Sequence, residues 1–266
     1  TARYHGQRQY RSDRDNSQPL LQFARCLVHM AVDTDEVYMT TKLAGKDTFF
    51  LPFNKGNDGG AGNPTNPNGH KTSYLWVELF TKDVIANIIQ HFVRLDGSDQ
   101  DRSEKRTLFF PRYHQLDVVR KIIAHASENG IGHRYLIQHS AGSGKSNSIT
   151  WTAYRLIEVY PKKDGIQGSL GLEHPLFDSV IVVTDRRILD RQLRDTIKEF
   201  SEVKNIISHA HKSLDLKDAL EKGKKIIVTT IQKFPFIIDG IDDLKEKRFA
   251  VIIDEAHSSQ SGTAHD

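Results

Sequence analysis

The chain carries a single cysteine, Cys26, among its 266 residues. One thiol excludes an intrachain disulfide framework and any cysteine-built zinc site. Long apolar runs are missing as well: none approaches the ~20 residues needed to cross a bilayer. The first stretch, Thr1 to Asp15, is polar and arginine-rich with no apolar core, and does not read as a secretory signal. Nor does charge of one sign dominate. Lys and Arg number 37 against 34 Asp and Glu, a net +3, which permits a nucleic-acid partner without arguing for one. What remains is 38% hydrophobic and 27% charged, the composition of an ordinary globular protein, and no membrane partner is expected. The expectation is a cytoplasmic α/β protein. Its opening on Thr and its stop in a polar run at Asp266 read as a piece of a longer polypeptide.

Along the chain, residues 1–19 read as a frayed helix or arm. Cys26 to Val32 alternates with period two, Val37 to Thr41 is β-branched and aromatic, and Thr48 to Phe53 follows a Gly-Lys-Asp turn. Together they predict a β-meander. Asn54 to Lys71 is a loop rich in Gly and Asn, either a contact loop or a flexible connection. Ser73 to Glu78 reads as a short strand. Thr81 is placed to cap a helix whose stripe is Val84, Ile85, Ile88, Ile89, Phe92 and Val93. Arg94 to Arg106 is charged and reads as a linker between domains.

The texture changes after residue 107. A helical pattern covers Gln115 to Ala126. Four apolar runs, Tyr135–Gln138, Val180–Thr184, Ile226–Thr230 and Phe249–Asp254, match the strands of a parallel sheet covered on both faces. Helical patterns at Ser146–Tyr160, Ile188–Phe200 and Leu214–Glu221 separate them, which predicts stacked βαβ units.

Two motifs carry chemistry. His139-Ser-Ala-Gly-Ser-Gly-Lys-Ser146 lies between a predicted strand and helix, the context of a phosphate-binding loop. Its core is Ala141, Gly142, Ser143, Gly144, Lys145 and Ser146. The glycines let successive N–H groups converge on one anion, and the helix that follows adds its positive end. Lys145 can reach the β- and γ-phosphates of ATP, and the Ser146 hydroxyl can ligate Mg²⁺. The strict spacing has Gly where this chain has His139. The second motif is Ile252-Ile253-Asp254-Glu255-Ala256-His257, an apolar strand that delivers two carboxylates at its carboxyl end. Asp254 is suited to hold Mg²⁺ and Glu255 to orient or deprotonate an attacking water. Smaller constellations are ambiguous. His209 and His211 lack a third ligand, and Tyr74 and Trp76 read more as core than as a base-stacking pair.

Asp254-Glu255-Ala256-His257 resembles the DEAH form of the Walker B motif of superfamily 2 helicases. Other segments fit the same pattern in order. Arg112-Tyr-His-Gln115 resembles the glutamine motif, in which Gln115 would read adenine bidentately at N6 and N7; its bland alternative is a solvated helix start. Thr184-Asp-Arg186-Arg187 resembles motif Ia and Thr229-Thr230-Ile-Gln-Lys233 motif Ib. The resemblance makes Arg186, Arg187, Thr230 and Lys233 nucleic-acid contacts, although surface Arg and Lys are commonly just solvated.

The narrower resemblance is to the R (restriction and translocation) subunit of type I restriction–modification enzymes. It rests on Arg11-Ser-Asp-Arg-Asp, Phe53-Asn-Lys-Gly-Asn, Tyr74-Leu-Trp, Phe110-Pro-Arg-Tyr-His-Gln, Val183-Thr-Asp-Arg-Arg and Asp254-Glu-Ala-His-Ser-Ser-Gln-Ser-Gly. It implies an α/β fold: a RecA-like parallel sheet with flanking helices, preceded by a small α+β segment resembling the tail of a PD-(D/E)xK nuclease domain. The domains it implies are 1–53 as the nuclease tail, 54–106 as loop, strand, helix and linker, and 107–266 as an incomplete first motor domain. It also implies ATP and Mg²⁺ as cofactors, with Lys145 and Glu255 catalytic and His257 coupling nucleotide to DNA. The implied partners are double-stranded DNA and the methylation and specificity subunits. The nuclease carboxylates would lie upstream of Thr1 and the arginine finger downstream of Asp266. The Glu202-Val-Lys204 triplet reads as a solvated turn. Other superfamily 2 enzymes, type III restriction subunits among them, and a module that only binds nucleotide share these motifs.

Overall fold

The structure, a computed structural model, describes all residues except 16, 98–105, 141, 185–206, 210–218, 220–221, 234–246 and 255–266. The chain divides into two compact units, Thr1–Asp117 and Val118–Asp266.

In the first unit the amino-terminal arm is packed rather than frayed. Helical turns at Ala2–Gly6 and Gln9–Asp13 bury Ala2 with Ala31 and Phe50. Gly6 approaches so closely that a Cβ there would lie 2.9 Å from that of Ala31. Arg11 adds a fork, Nε and Nη2 both donating to the Thr48 carbonyl at 3.0 Å. The meander forms as expected: β1 (His29–Val32), β2 (Val37–Thr40) and β3 (Leu51–Pro52) pair antiparallel in that order. The third strand is shorter than its composition predicts. The Thr48 hydroxyl donates to the Gly45 carbonyl at 2.7 Å and accepts the Ala44 amide at 2.8 Å, which bends residues 44–48 into a turn.

The Asn- and Gly-rich segment is closed by side-chain amides. Asn54 Oδ1 accepts from the Val37 amide at 2.8 Å and from Asn63 Nδ2 at 2.9 Å. Asn63 Oδ1 accepts the Lys55 amide at 2.8 Å. The amides thus supply backbone partners where no ladder exists.

Two expectations fail here. Residues 73–78 form a wide helical turn, Leu75–Leu79, closed by Phe80 N–H to Leu75 C=O at 2.8 Å, and not a strand. The apparent alternation is broken because Tyr74, Leu75 and Leu79 all turn inward, the Tyr74 hydroxyl donating to the Phe53 carbonyl. After α1 (Lys82–His91), where Thr81 takes the cap position without a side-chain capping bond, the charged stretch is not a plain linker. Its ends pair as β4 (Arg94–Asp96) and β5 (Thr107–Phe109). The Arg94 guanidinium sits 4.8 Å over the Phe109 ring, and residues 98–105 between the two strands lie outside the described residues.

Helix α2 (Tyr113–Asn129) begins in the first unit and continues in the second. There α3 (Lys145–Leu156), β6 (Ser179–Thr184), β7 (Ile207–His209), β8 (Ile226–Thr230) and β9 (Phe249–Ile253) follow. The strands form one parallel sheet in the order β7-β8-β6-β9. Strands β6 and β8 are buried along their whole length, as continuous aliphatic runs require. Val180, Val182, Ile226 and Val228 pack with Ile122 and Ala126 of α2 and Ala153 and Leu156 of α3. Three-residue β7 was not expected. The helical patterns at 188–200 and 214–221 lie outside the described residues, Ala219 excepted.

Tyr135–Gln138 departs from the expected strand. The segment is outside the sheet and Leu136 is 92% exposed. Its residues instead line a shallow cleft against α2, where Tyr135 Oη lies 2.9 Å from His125 Nδ1. Aliphatic composition gives strand propensity; a strand also needs a hydrogen-bonded neighbour.

The starts of β6 and β9 are clamped by one ion pair. The Arg248 amide and Nε reach Asp178 Oδ2 at 2.7 and 3.1 Å, and Nη2 reaches Oδ1 at 3.1 Å. Burial raises the Asp178 carboxyl, but the hydrogen bonds and charge of Arg248 outweigh it and hold the group below its ordinary value. The folded state therefore binds its proton less tightly than the unfolded chain, and the clamp stabilises above the unfolded carboxyl's pKa. That stability is lost as pH falls through the depressed folded value. Asp178→Asn is expected to cost about 1 kcal/mol at neutral pH, discounted for partial exposure. Thermal unfolding against pH should show the gap from wild type closing in acid.

Candidate functional site

The loop before α3 has the conformation its glycines predict. Gly142 and Gly144 have φ of 72° and 80°, in the left-handed region where a Cβ is disfavoured. A Cβ on Gly142 would meet nothing within 4 Å, so the requirement there is conformational and not spatial. Gly144 caps α3 without a side chain. The amides of Asn147 and Ser148 close on its carbonyl at 3.1 and 3.3 Å. The helix thus starts within the loop, its positive end facing the turn that Ser140 and Ser143 close by a 3.3 Å backbone bond. Lys145 and Ser146 occupy the first two positions of α3. Further along, Thr150 Oγ1 donates to the Ser146 carbonyl at 2.8 Å and Thr152 Oγ1 to the Ser148 carbonyl at 2.7 Å, which fixes the first turns.

The direction of α3 follows from its far end. The Leu176 amide donates to the Val159 carbonyl at 2.8 Å, so the carboxyl end of α3 lies beside the start of β6. The helix packs on β6 and β9. Twelve helical residues span ~18 Å, close to the ~20 Å of a six-residue strand. Its amino end and the loop therefore lie toward the carboxyl ends of the strands. Asp254 stands there too, one residue past β9, its amide donating to the Val183 carbonyl at 2.9 Å. The fold brings Gly142, Ser143, Gly144, Lys145, Ser146 and Asp254 to one end of one parallel sheet, the end where such sheets bind ligands.

Gln115 belongs to the first unit. It is 3% exposed, which removes the reading as a solvated helix start. Its Oε1 accepts the Arg112 amide at 2.9 Å, the return half of a capping box. Around it, the Tyr113 ring stands edge-on to Phe53 and Tyr74, with centroids 6.0 and 5.3 Å away. The Lys55 ammonium lies 5.2 Å over Tyr74 and pairs with Glu78 at 2.6 Å. Burial lowers the Arg112 guanidinium from its ordinary value.

Ala141, Arg186, Arg187, Glu255 and His257 lie outside the described residues, as do His211 and the Glu202–Lys204 triplet. Lys233 ends a short helical turn, Ile231–Lys233. Thr230 is 2% exposed and Thr184 fully buried. Motif spacing does not single out the Thr184 side chain; its signal is a hydroxyl closing an otherwise aliphatic run. Tyr74 is core, as expected, whereas Trp76 is 59% exposed and stacked on Phe80 at 5.6 Å. Among the described residues no group of His, Cys, Asp and Glu is placed to hold a metal by itself, and no helix is long and apolar enough to cross a membrane.

The family model for SWI2/SNF2 ATPases matches residues 114–266. Among curated proteins, the type I restriction enzyme SsaAORF53P endonuclease subunit of Staphylococcus saprophyticus is 30% identical over 186 residues, 68% of this chain and 17% of that protein. The HindI endonuclease subunit of Haemophilus influenzae is 29% identical over 195 residues, 69% of this chain and 17% of its own. The putative MjaVIIIP endonuclease subunit of Methanocaldococcus jannaschii is 24% identical over 217 residues, 73% of this chain and 20% of its own. The chain therefore spans about a fifth or less of the length of these relatives.

Gly142→Ala tests the loop. With no clash to relieve, the cost is the left-handed backbone alone, ~1–2 kcal/mol. Thermal unfolding should show that loss, and nucleotide binding should fall as the loop relaxes to negative φ.

Proposed function

The chain belongs to the SWI2/SNF2 ATPase family, and from that premise we propose that it is the ATP-binding part of the motor of a type I restriction enzyme's R subunit. The observation that carries this reading is the meeting of a left-handed glycine loop and Asp254 at the carboxyl end of one parallel sheet. We read the second unit as a RecA-like motor domain and residues 1–53 as the tail of a nuclease domain, the antiparallel meander supporting the latter.

In this reading the loop amides and the start of α3 hold the phosphates of ATP, and Lys145 neutralises charge on the outer two. Ser146 and Asp254 offer a hydroxyl and a carboxylate, the hard oxygen donors that Mg²⁺ prefers. When bound, the cation would neutralise charge on the transferring phosphoryl group. Glu255 orients the attacking water and accepts its proton. Gln115 reads the adenine edge, and His257 passes the state of the nucleotide to the DNA-binding segments. Arg186, Arg187, Lys233 and the backbone at Thr230 meet phosphates of duplex DNA. Translocation of unmodified DNA and its cleavage belong to the assembled enzyme, with the methylation and specificity subunits as partners, in the cytoplasm.

The test is ATP hydrolysis by the full-length protein with those subunits, on unmethylated DNA with and without the recognition site. Hydrolysis that needs the site and vanishes in Lys145→Ala is expected. Hydrolysis indifferent to the other subunits and to methylation would instead make the chain part of a free-standing helicase. Gln115→Glu separates capping from base reading in the same assembly. A carboxylate still accepts the Arg112 amide, so the cap bond is kept and the loss in Tm is limited to the cost of burying a charge. It cannot donate to adenine N7, so KM for ATP should rise about tenfold and preference over GTP should shrink.

A further inference from the structure

Across the sheet, the register sets three polar side chains side by side. Thr184 pairs with Thr230 between β6 and β8. Val183 pairs with Ile253 between β6 and β9, and one step further Thr184 stands opposite Asp254. Side chains alternate along a strand, so the face each one takes is fixed by its neighbours two residues back. Val180 and Val182, Ile226 and Val228, and Ala250 and Ile252 all pack into the core beneath α2 and α3. Thr184, Thr230 and Asp254 continue those three columns. They form a row on the α3 face, at the end of the sheet that holds the phosphate loop.

Everything behind this row is aliphatic. A valine would fit in place of either threonine and bury more favourably, because a buried hydroxyl costs free energy unless it is well bonded. Thr184 is fully buried, and its side chain makes one hydrogen bond among the described residues, to the Thr229 carbonyl at 3.5 Å. That is the outer limit of a useful bond. Neighbouring strands lie ~4.8 Å apart, so the column that Asp254 continues is one strand spacing from Thr184, on the side of β6 opposite to the Thr229 carbonyl. Each threonine is also the last residue of its strand, directly before the 185–187 and 231–233 segments.

We infer that Thr184 is a positioning residue for Asp254, with Thr230 extending the same hydroxyl row from β8. Resting on the function proposed above, the inference has the Thr184 O–H exchange its long bond to the Thr229 carbonyl for the Asp254 carboxylate, which it orients toward the cation that accompanies ATP. The side chain of Thr230 then faces the nucleotide side, and only its backbone and the residues after it are left for DNA. The row also ties the ends of β6 and β8, where the DNA segments begin, to the carboxylate that responds to nucleotide.

The experiment uses the assembled enzyme with Thr184→Val, Thr184→Ser and Thr230→Val. Four quantities are read: Mn²⁺ affinity in the presence of a non-hydrolysable ATP analogue, the KM and kcat of ATP hydrolysis, DNA affinity, and Tm. Thr184→Val is expected to weaken Mn²⁺ binding about tenfold, the lower range for residues that orient a metal ligand. The half-saturating Mg²⁺ for hydrolysis should rise in parallel. DNA affinity and Tm should stay at wild-type values, and Thr184→Ser should restore Mn²⁺ binding. Thr230→Val should move the same quantities less. Wild-type Mn²⁺ binding in Thr184→Val overturns the inference, as does a loss of DNA affinity or of Tm alone. If Lys145→Ala abolishes hydrolysis while Thr184→Val is wild type, only this inference fails. If Lys145→Ala still hydrolyses ATP, the functional reading fails first.

Discussion

Strand β6 is hydrogen-bonded on both sides, to β8 and to β9, and none of its six residues reaches solvent. A buried backbone has no water to fall back on, so every amide and carbonyl on this strand must find a partner in the ladder. That requirement sets the register of three strands at once. It decides that Asp254 ends level with Thr184 and Thr230, that the three share one face, and that the face is the one α3 covers. The site inherits its geometry from this pairing, because α3 packs on the same two strands that bring Thr184 and Asp254 together.

Much of this was legible in the residues, and for physical reasons. Largely aliphatic runs of five residues at 180–184 and 226–230 leave little choice but a strand covered on both faces. The loop at 142–146 was legible because glycine is placed where a left-handed φ is needed. Tyr135–Gln138 is a short, mostly apolar run like the true strands, yet lies exposed beside α2. Periodicity reports what a segment would do with a partner and carries no information on whether it has one. Residues 73–78 failed differently: alternation over so few positions is shared by a strand and a wide helical turn, and the buried Tyr74, Leu75 and Leu79 decide for the turn. The stretch at 94–106 misled because charge was taken for exposure of the backbone, whereas Arg94 lays its guanidinium on Phe109 and leaves the backbone free to pair.

The candidate site was legible in outline and not in detail. Residue type and spacing singled out Lys145, Ser146 and Asp254. They could not show that Gln115 closes the first turn of its own helix, although a glutamine three residues after the cap is the pattern for it. Nor could they show that Thr184 and Thr230 share a face with Asp254. That depends on register, which a one-residue slip would reverse, and register emerges only when strands far apart in sequence meet.

The clamp between Asp178 and Arg248 joins residues 70 apart in the chain, and this has a consequence for how the protein is made. On a ribosome the chain emerges amino end first. Until residues 248–253 are out, β6 has no β9 beside it and Asp178 has no arginine. Through that interval a strand with four consecutive aliphatic residues, Val180 to Val183, presents an open edge, the state most prone to pair with a neighbouring nascent chain. Formation of β9 closes that edge and brings Asp254 to the end of the sheet in one step, so a chain halted before it would expose a sticky surface and lack Asp254 for the same reason.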